Sequence, residues 1–248
     1  MMFGVRNCST LVSVPSDVNV PSSGGTMALD EDGAGHEGDE AMQEMGLFEA
    51  MYTQRQITRF KPDPVPREAI DRVMEAATKA PSGGNNQPWH FVAITDKELI
   101  SKIGTIYGEL WLGARGSRPQ PGETMAYQTA RYLANHFHEV PAMILICVDH
   151  STAPGFDPEE PIVRDRYGSS IWLAAQNLFL AARALGLGTR LTTTHIRREQ
   201  EVKDLLCIPD YVETVALTPL GYLRGRFGPT DRKPLSEVSS YNRWGSRE

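Results

Sequence analysis

The stretch from about Asp165 to Leu185 constrains the fold more than any other part of the chain. Ile171, Trp172, Leu173, Leu178, Phe179, Leu180 and Leu185 recur too densely for a single helical stripe. They predict a helix that is apolar on more than one face and must be covered on nearly all sides. Gly186 and Gly188 end it by permitting the left-handed conformation of a C-terminal cap.

Helical and strand patterns alternate around this segment from Gly46 onward, the signature of a layered α/β or α+β domain. Pro66 opens a helix whose buried face is Ile70, Val73, Met74 and Ala77, and which stops before Pro81. His90 to Thr95 reads as a strand, and Asp96 caps a helix running to about Ile106. Glu123 to Phe137 is a further helix, and Val140 to Asp149 is a strand buried on both faces. Thr189 to His195 reads as a β-branched strand, Arg198 to Cys207 as a short helix and Val212 to Leu217 as a last strand. From Gly221 the chain is a Gly, Pro and Arg rich extension with no helix of its own. Its Tyr222, Phe227, Tyr241 and Trp244 need covering, and with the apolar helix they suggest a subunit that completes its core by pairing with a second copy.

Charge separates the chain into two parts. Residues 1 to 46 carry one basic residue, Arg6, against eight acidic ones, a net of −7, so a total of −6 leaves the body at +1. A near-neutral body lacks the basic footprint of a nucleic-acid binder. Residues 1–45 are rich in Ser, Gly, Asp and Glu and are expected to be disordered, with residues 46–248 as one folded domain. Cys8 to Val14, closed by Pro15, makes a poor signal-peptide core, and the longest apolar run, Ala142 to Val148, falls far short of the roughly 20 residues of a membrane span. Cys8, Cys147 and Cys207 form no metal-like or disulfide pattern, and Cys147 and Cys207 read as small buried hydrophobes, which fits a reducing cytoplasm. His136, His138 and His150 lack the spacing of a metal site.

Three separated elements carry chemistry. Arg55 and Arg59 flank Gln56-Ile57-Thr58, and two guanidinium groups so placed can converge on one dianion. Ala80-Pro81-Ser82-Gly83-Gly84-Asn85-Asn86-Gln87-Pro88-Trp89 is a polar loop leading into a strand, with donors and acceptors suited to the edge of a heterocycle. It has neither the lysine of a P-loop nor the strand-first order of a dinucleotide fingerprint. The third element is Arg232-Lys233-Pro234-Leu235, reached through Gly221-Tyr222.

Taken in this order, the elements resemble the FMN-dependent nitroreductase family, over about Leu47 to the C-terminus. The resemblance implies an α+β, nitroreductase-like three-layer fold with a central, mostly antiparallel sheet and helices on both faces. It also implies an intertwined homodimer with one FMN in each of two interface clefts. Arg55, Gln56, Arg59 and Arg232 would contact the phosphate and ribityl chain, and Ser82, Asn85 and Gln87, with Pro81 beside them, the ribityl chain and ring. Leu191, Thr192 and Thr193, with Thr194, would offer backbone N–H groups near flavin N5. Many relatives have Ser in place of Ile57 and Gly or Glu-Gly in place of Thr193-Thr194.

The implied chemistry needs no acid-base triad from the protein, because flavin stores the two electrons. NADH or NADPH would reduce it, and a nitroaromatic, quinone or similar planar acceptor would take its place and be reduced in a ping-pong cycle. Trp111 and Tyr127, in a segment whose Gly108, Gly113, Gly116 and Gly122 permit mobility, are the candidate stacking groups for that acceptor. Alternatives are a flavin-fragmenting or dehalogenating relative of the same fold, or a flavin carrier without turnover.

Overall fold

The computed structural model describes residues 45–247; the rest of the acidic extension, and Cys8 with it, lies outside the described residues. In chain order the first elements are α1 (Leu47–Thr53), α2 (Arg67–Thr78), β1 (Trp89–Ile94), α3 (Lys97–Arg115), α4 (Met125–His136) and β2 (Ala142–Asp149). There follow α5 (Gly168–Ala184), β3 (Leu187–Thr189), α6 (Glu199–Leu206), β4 (Val212–Tyr222) and a short α7 (Leu235–Val238).

The four strands form one sheet in the order β1-β2-β4-β3 with every neighbouring pair antiparallel. β2 shows why its sequence is apolar throughout. Ile144, Ile146 and Val148 face a core completed by Ile70, Val73 and Ala77 of α2 and Ile171, Ala174 and Leu178 of α5. Met143, Leu145 and Cys147 face the opposite core, built with Ile100, Ile103 and Tyr107 of α3, Leu133 of α4 and Val202 of α6. This is the expected α+β arrangement: helices, sheet, helices.

α5 packs one side on the sheet, but Trp172 and Leu173 stay 40% and 48% exposed, so the described residues do not cover the helix all round. Phe48, Tyr52, Tyr241 and Trp244 are exposed as well. Of the extension's aromatics, Tyr222 packs on the α5 side of the sheet and Phe227 lies under the Arg183 guanidinium at 4.0 Å.

Several boundaries differ from the sequence reading. The helix capped by Asp96, whose carboxylate accepts from the N–H groups of Glu98 and Leu99, runs past Ile106 to Arg115. Of the glycines that argue for mobility there, Gly108 has a packing role instead, since a Cβ on it would lie 2.8 Å from the Ala134 carbonyl oxygen, whereas Gly113 and Gly122 have open space where a Cβ would stand. Gly108→Ala is therefore expected to push α3 from α4 and cost about 1–3 kcal/mol of stability in denaturant unfolding; an unchanged midpoint would contradict this packing.

The strand expected over Thr189 to His195 ends at Thr189. Arg190 donates to the carbonyl of Pro219, but proline has no N–H to return, so the ladder breaks and resumes only as a bridge between Thr192 and Leu217. Residues Thr194–Arg198 then form a 3-10 helix. β4 continues beyond Leu217 to Tyr222, and the extension does contain a helix, α7. Cys147 is buried, which drives its thiol pKa up to about 12, whereas Cys207 is exposed at the left-handed residue that ends α6.

Candidate functional site

After α1 the chain runs along the β3 edge of the sheet. Gln56 bridges Thr189 in parallel, the Ile57 N–H donates to Thr189 O at 2.8 Å, and Lys61 N–H donates to Tyr222 O at 2.7 Å. Ile57 is buried above Gly188, where a Cβ would come within 2.6 Å of its side chain. This inward anchor leaves Arg55, Gln56 and Arg59 exposed.

Arg55 reaches the C-terminal extension, its guanidinium donating to Pro229 O at 3.0 Å, and the Thr230 N–H donates to Tyr52 O at 3.1 Å beside it. Arg232, exposed, follows three residues after Pro229, within about 11 Å along the chain. Two cations from opposite ends of the sequence thus share one neighbourhood. Arg59 turns to a different partner and stacks 4.2 Å over the Tyr132 ring of α4.

The segment after β3, Arg190 to Thr194, carries the backbone donors. The Leu191 N–H goes to Gln56 Oε1, the Thr192 N–H to Leu217 O and the Thr194 N–H to Thr192 Oγ1. Only the Thr193 N–H of these four has no hydrogen-bond partner among the described residues. Thr193 and Thr194 line a cavity of about 470 Å³, and the same cavity is lined by Trp111 and Tyr127 with Arg115 and Arg197. The two aromatics are held by cations: Arg131 lies 5.1 Å over Trp111 and Arg115 4.5 Å over Tyr127. Arg131 is itself fixed, buried in a bidentate pair with Glu123 at 2.6 to 3.1 Å.

The loop from Pro81 to Gln87 sits elsewhere. The Gly83 N–H donates to Ser170 Oγ near the start of α5 at 3.2 Å, and Ser82 Oγ accepts from the Gln87 N–H at 3.0 Å. Gln87 Nε2 donates to Asn85 Oδ1 at 3.3 Å. Asn85 and Gln87 both hold positive φ, +54° and +48°, a conformation Asn tolerates and Gln adopts at a cost of about 1–2 kcal/mol. Pro81, Asn85 and Gln87 are exposed. At the other end of α5, Arg183 donates to Thr53 Oγ1 at 2.8 Å, next to Arg55. Ser170 and Arg183 are separated by about 20 Å of helix, so a single chain keeps the loop and the Arg55 neighbourhood apart.

Beneath Thr194 lies a buried polar cluster that sequence reasoning passes over. Glu213 of β4 pairs with His150 at 3.1 Å and with Arg164, and Glu199 takes Arg164 and the N–H and hydroxyl of Thr214, both at 2.8 Å. Because the Thr214 hydroxyl donates to Glu199, its oxygen accepts from His195 Nε2 at 3.2 Å. His195 is then neutral with Nδ1 bare, buried and unpaired, and burial together with the Arg164 charge lowers its pKa to about 4. A Glu-Thr pair inside an apolar strand is the visible signal of this cluster.

The nitroreductase family model matches residues 52–222. A Methanothermobacter thermautotrophicus protein that bears the name NADH dehydrogenase/NAD(P)H nitroreductase is 28% identical over 188 residues, 74% of this chain and 81% of that one. The 5,6-dimethylbenzimidazole synthase of Rhodospirillum rubrum is 28% identical over 202 residues, 82% of this chain and 90% of that one. A crystal structure of oxidized iodotyrosine deiodinase bound to FMN and 3-iodo-L-tyrosine superposes with a TM-score of 0.65 at 24% identity, covering 80% of this chain and 100% of the other. The chain belongs to the nitroreductase family.

Proposed function

We propose that this member of the nitroreductase family is an FMN-dependent oxidoreductase that uses NADH or NADPH to reduce a planar acceptor, a nitroaromatic or quinone, in the cavity beside Thr193. The observation that carries the reading is that Trp111 and Tyr127 line one cavity with Thr193, whose N–H has no hydrogen-bond partner among the described residues. The donor set suits FMN: guanidinium groups for a phosphate at Arg55 and Arg232, a free N–H for a ring heteroatom at Thr193, and amide side chains on the loop for hydroxyl and heterocycle edges. When bound, FMN would supply two-electron storage between the reduced nicotinamide and the acceptor. For a nitro group the balance is NAD(P)H + H⁺ + ArNO₂ → NAD(P)⁺ + ArNO + H₂O. The chain's own part is to bind, orient and exclude water: Gln56 fixes the Leu191 N–H and so the segment that presents Thr193, and Trp111 and Tyr127 flank the acceptor.

The separation of the loop from the Arg55 neighbourhood supports a homodimer in which each site joins the arginines of one subunit to the loop of the other. The exposed Trp172 and Leu173 of α5 and the exposed Tyr241 and Trp244 of the extension are the apolar surface for that contact. No helix among the described residues is long and apolar enough to cross a membrane.

Steady-state oxidation of NADH and NADPH with a nitroaromatic tests the reading. Parallel lines in double-reciprocal plots are expected, because donor and acceptor use one cavity in turn. Bound FMN with negligible NAD(P)H consumption would point to a carrier instead, and halide release from a halogenated aromatic without nitro reduction to a dehalogenase.

A further inference from the structure

The charge around the cavity is unbalanced in one direction. Its lining holds two arginines, Arg115 and Arg197, and no carboxylate. The acidic residues nearby are already engaged: Glu123 by Arg131, and Glu109 and Glu201 by Arg198, with Glu109 at 2.5 Å. Among the described residues the Arg115 guanidinium meets Tyr127, over its ring and at 3.4 Å its hydroxyl, and neither Arg115 nor Arg197 has a carboxylate partner. A neutral quinone or nitrobenzene gives these two cations nothing to pair with.

We propose that the acceptor taken by this cavity is an aromatic compound carrying an anionic group, and that Arg115 and Arg197 are its specificity determinants. The inference rests on the reading of the cavity as the acceptor site. The ring stacks between Trp111 and Tyr127 beside Thr193, and its carboxylate or equivalent anion lies toward the two guanidinium groups at the cavity wall. Tyr127 ties the two functions together, since the aromatic that faces the acceptor also orients Arg115. Arg131 does not belong to the pair, because Glu123 neutralises it.

The test compares 4-nitrobenzoate with 4-nitrobenzamide, matched in shape and differing in charge, on the FMN-loaded full chain. Equilibrium binding is read by quenching of tryptophan fluorescence, and kcat/KM by NADH and NADPH oxidation. The benzoate is expected to be favoured about tenfold in both readouts, as one charge-assisted contact would give. Arg115→Gln with Arg197→Gln should bring that ratio close to one, and Arg115→Glu with Arg197→Glu should turn the preference toward 4-nitrobenzylamine. A misfolded variant cannot gain that reversed preference. Equal treatment of the two acceptors by the native chain, or a preference that survives both double variants, overturns the proposal. So does an effect confined to KM for NADPH, which would assign the arginines to the donor's phosphate. A yellow, active protein without discrimination defeats this inference alone, whereas a colourless protein that takes up no FMN defeats the underlying reading too.

Discussion

Replacing Arg55 and Arg232 together by alanine is expected to weaken FMN binding by more than about a hundredfold. Each guanidinium contact to a phosphate is worth about 1.5–3 kcal/mol, so losing both removes about 3–6 kcal/mol. Neither side chain supports the core: both are exposed, and among the described residues they bond only the carbonyls of Pro229 and Asp231. The variant should therefore keep its fold while losing its colour. Titration with FMN followed by quenching of flavin fluorescence reads the affinity, and circular dichroism checks the fold. An affinity within about threefold of the native value would remove both residues from the phosphate. Each single variant should lose about tenfold or more, and Arg59→Ala much less, because Arg59 is already stacked on Tyr132.

The second large effect concerns acid stability. His195 is fully buried, and burial first, then the Arg164 charge, hold its pKa near 4 against an ordinary 6.5. In the folded chain it stays neutral while the unfolded chain takes up a proton below about pH 6.5. Its contribution is therefore complete above pH 6.5 and is lost as pH falls toward 4, by about 3 kcal/mol in all. The groups around it are the hydroxyl of Thr214, the Glu199 carboxylate behind that hydroxyl and the Arg164 guanidinium. Urea midpoints measured from pH 7 to pH 4 should fall steeply for the native chain and more gently for His195→Gln, which keeps an N–H for Thr214 without the titration. Identical slopes would contradict the account. Because His195 follows Thr194 directly, acid loss of this cluster should also disturb the segment that presents Thr193.

The parts of the site that are legible in the sequence are those whose chemistry is local. The loop from Ala80 to Trp89 announces itself in ten consecutive residues, and Arg55 and Arg232 lie in short runs of recognisable type. β2 is equally plain, because burial on both faces requires an unbroken apolar run. What the sequence hides depends on partners far along the chain. Gly108 lowers helix propensity locally, yet it lies inside α3 because the Ala134 carbonyl leaves no room for a Cβ. Pro219 interrupts the neighbouring strand, not its own, so the early end of β3 is invisible in the residues of β3 itself. Arg115 and Arg197 read as ordinary solvated charges until α3 and the segment after Thr193 are brought to one cavity. Arg59 falls between these cases: its type and spacing suggest an anion, but only the fold reveals Tyr132 beside it.

The central claim is that guanidinium groups from both ends of the polypeptide hold the phosphate of a flavin. Parallel titrations of the flavin-stripped protein with FMN and with riboflavin, identical but for that phosphate, address it most directly. The account predicts FMN affinity at least about a hundredfold above that of riboflavin, with the difference shrinking as salt is raised. Equal affinity for the two, or uptake of neither, would contradict it.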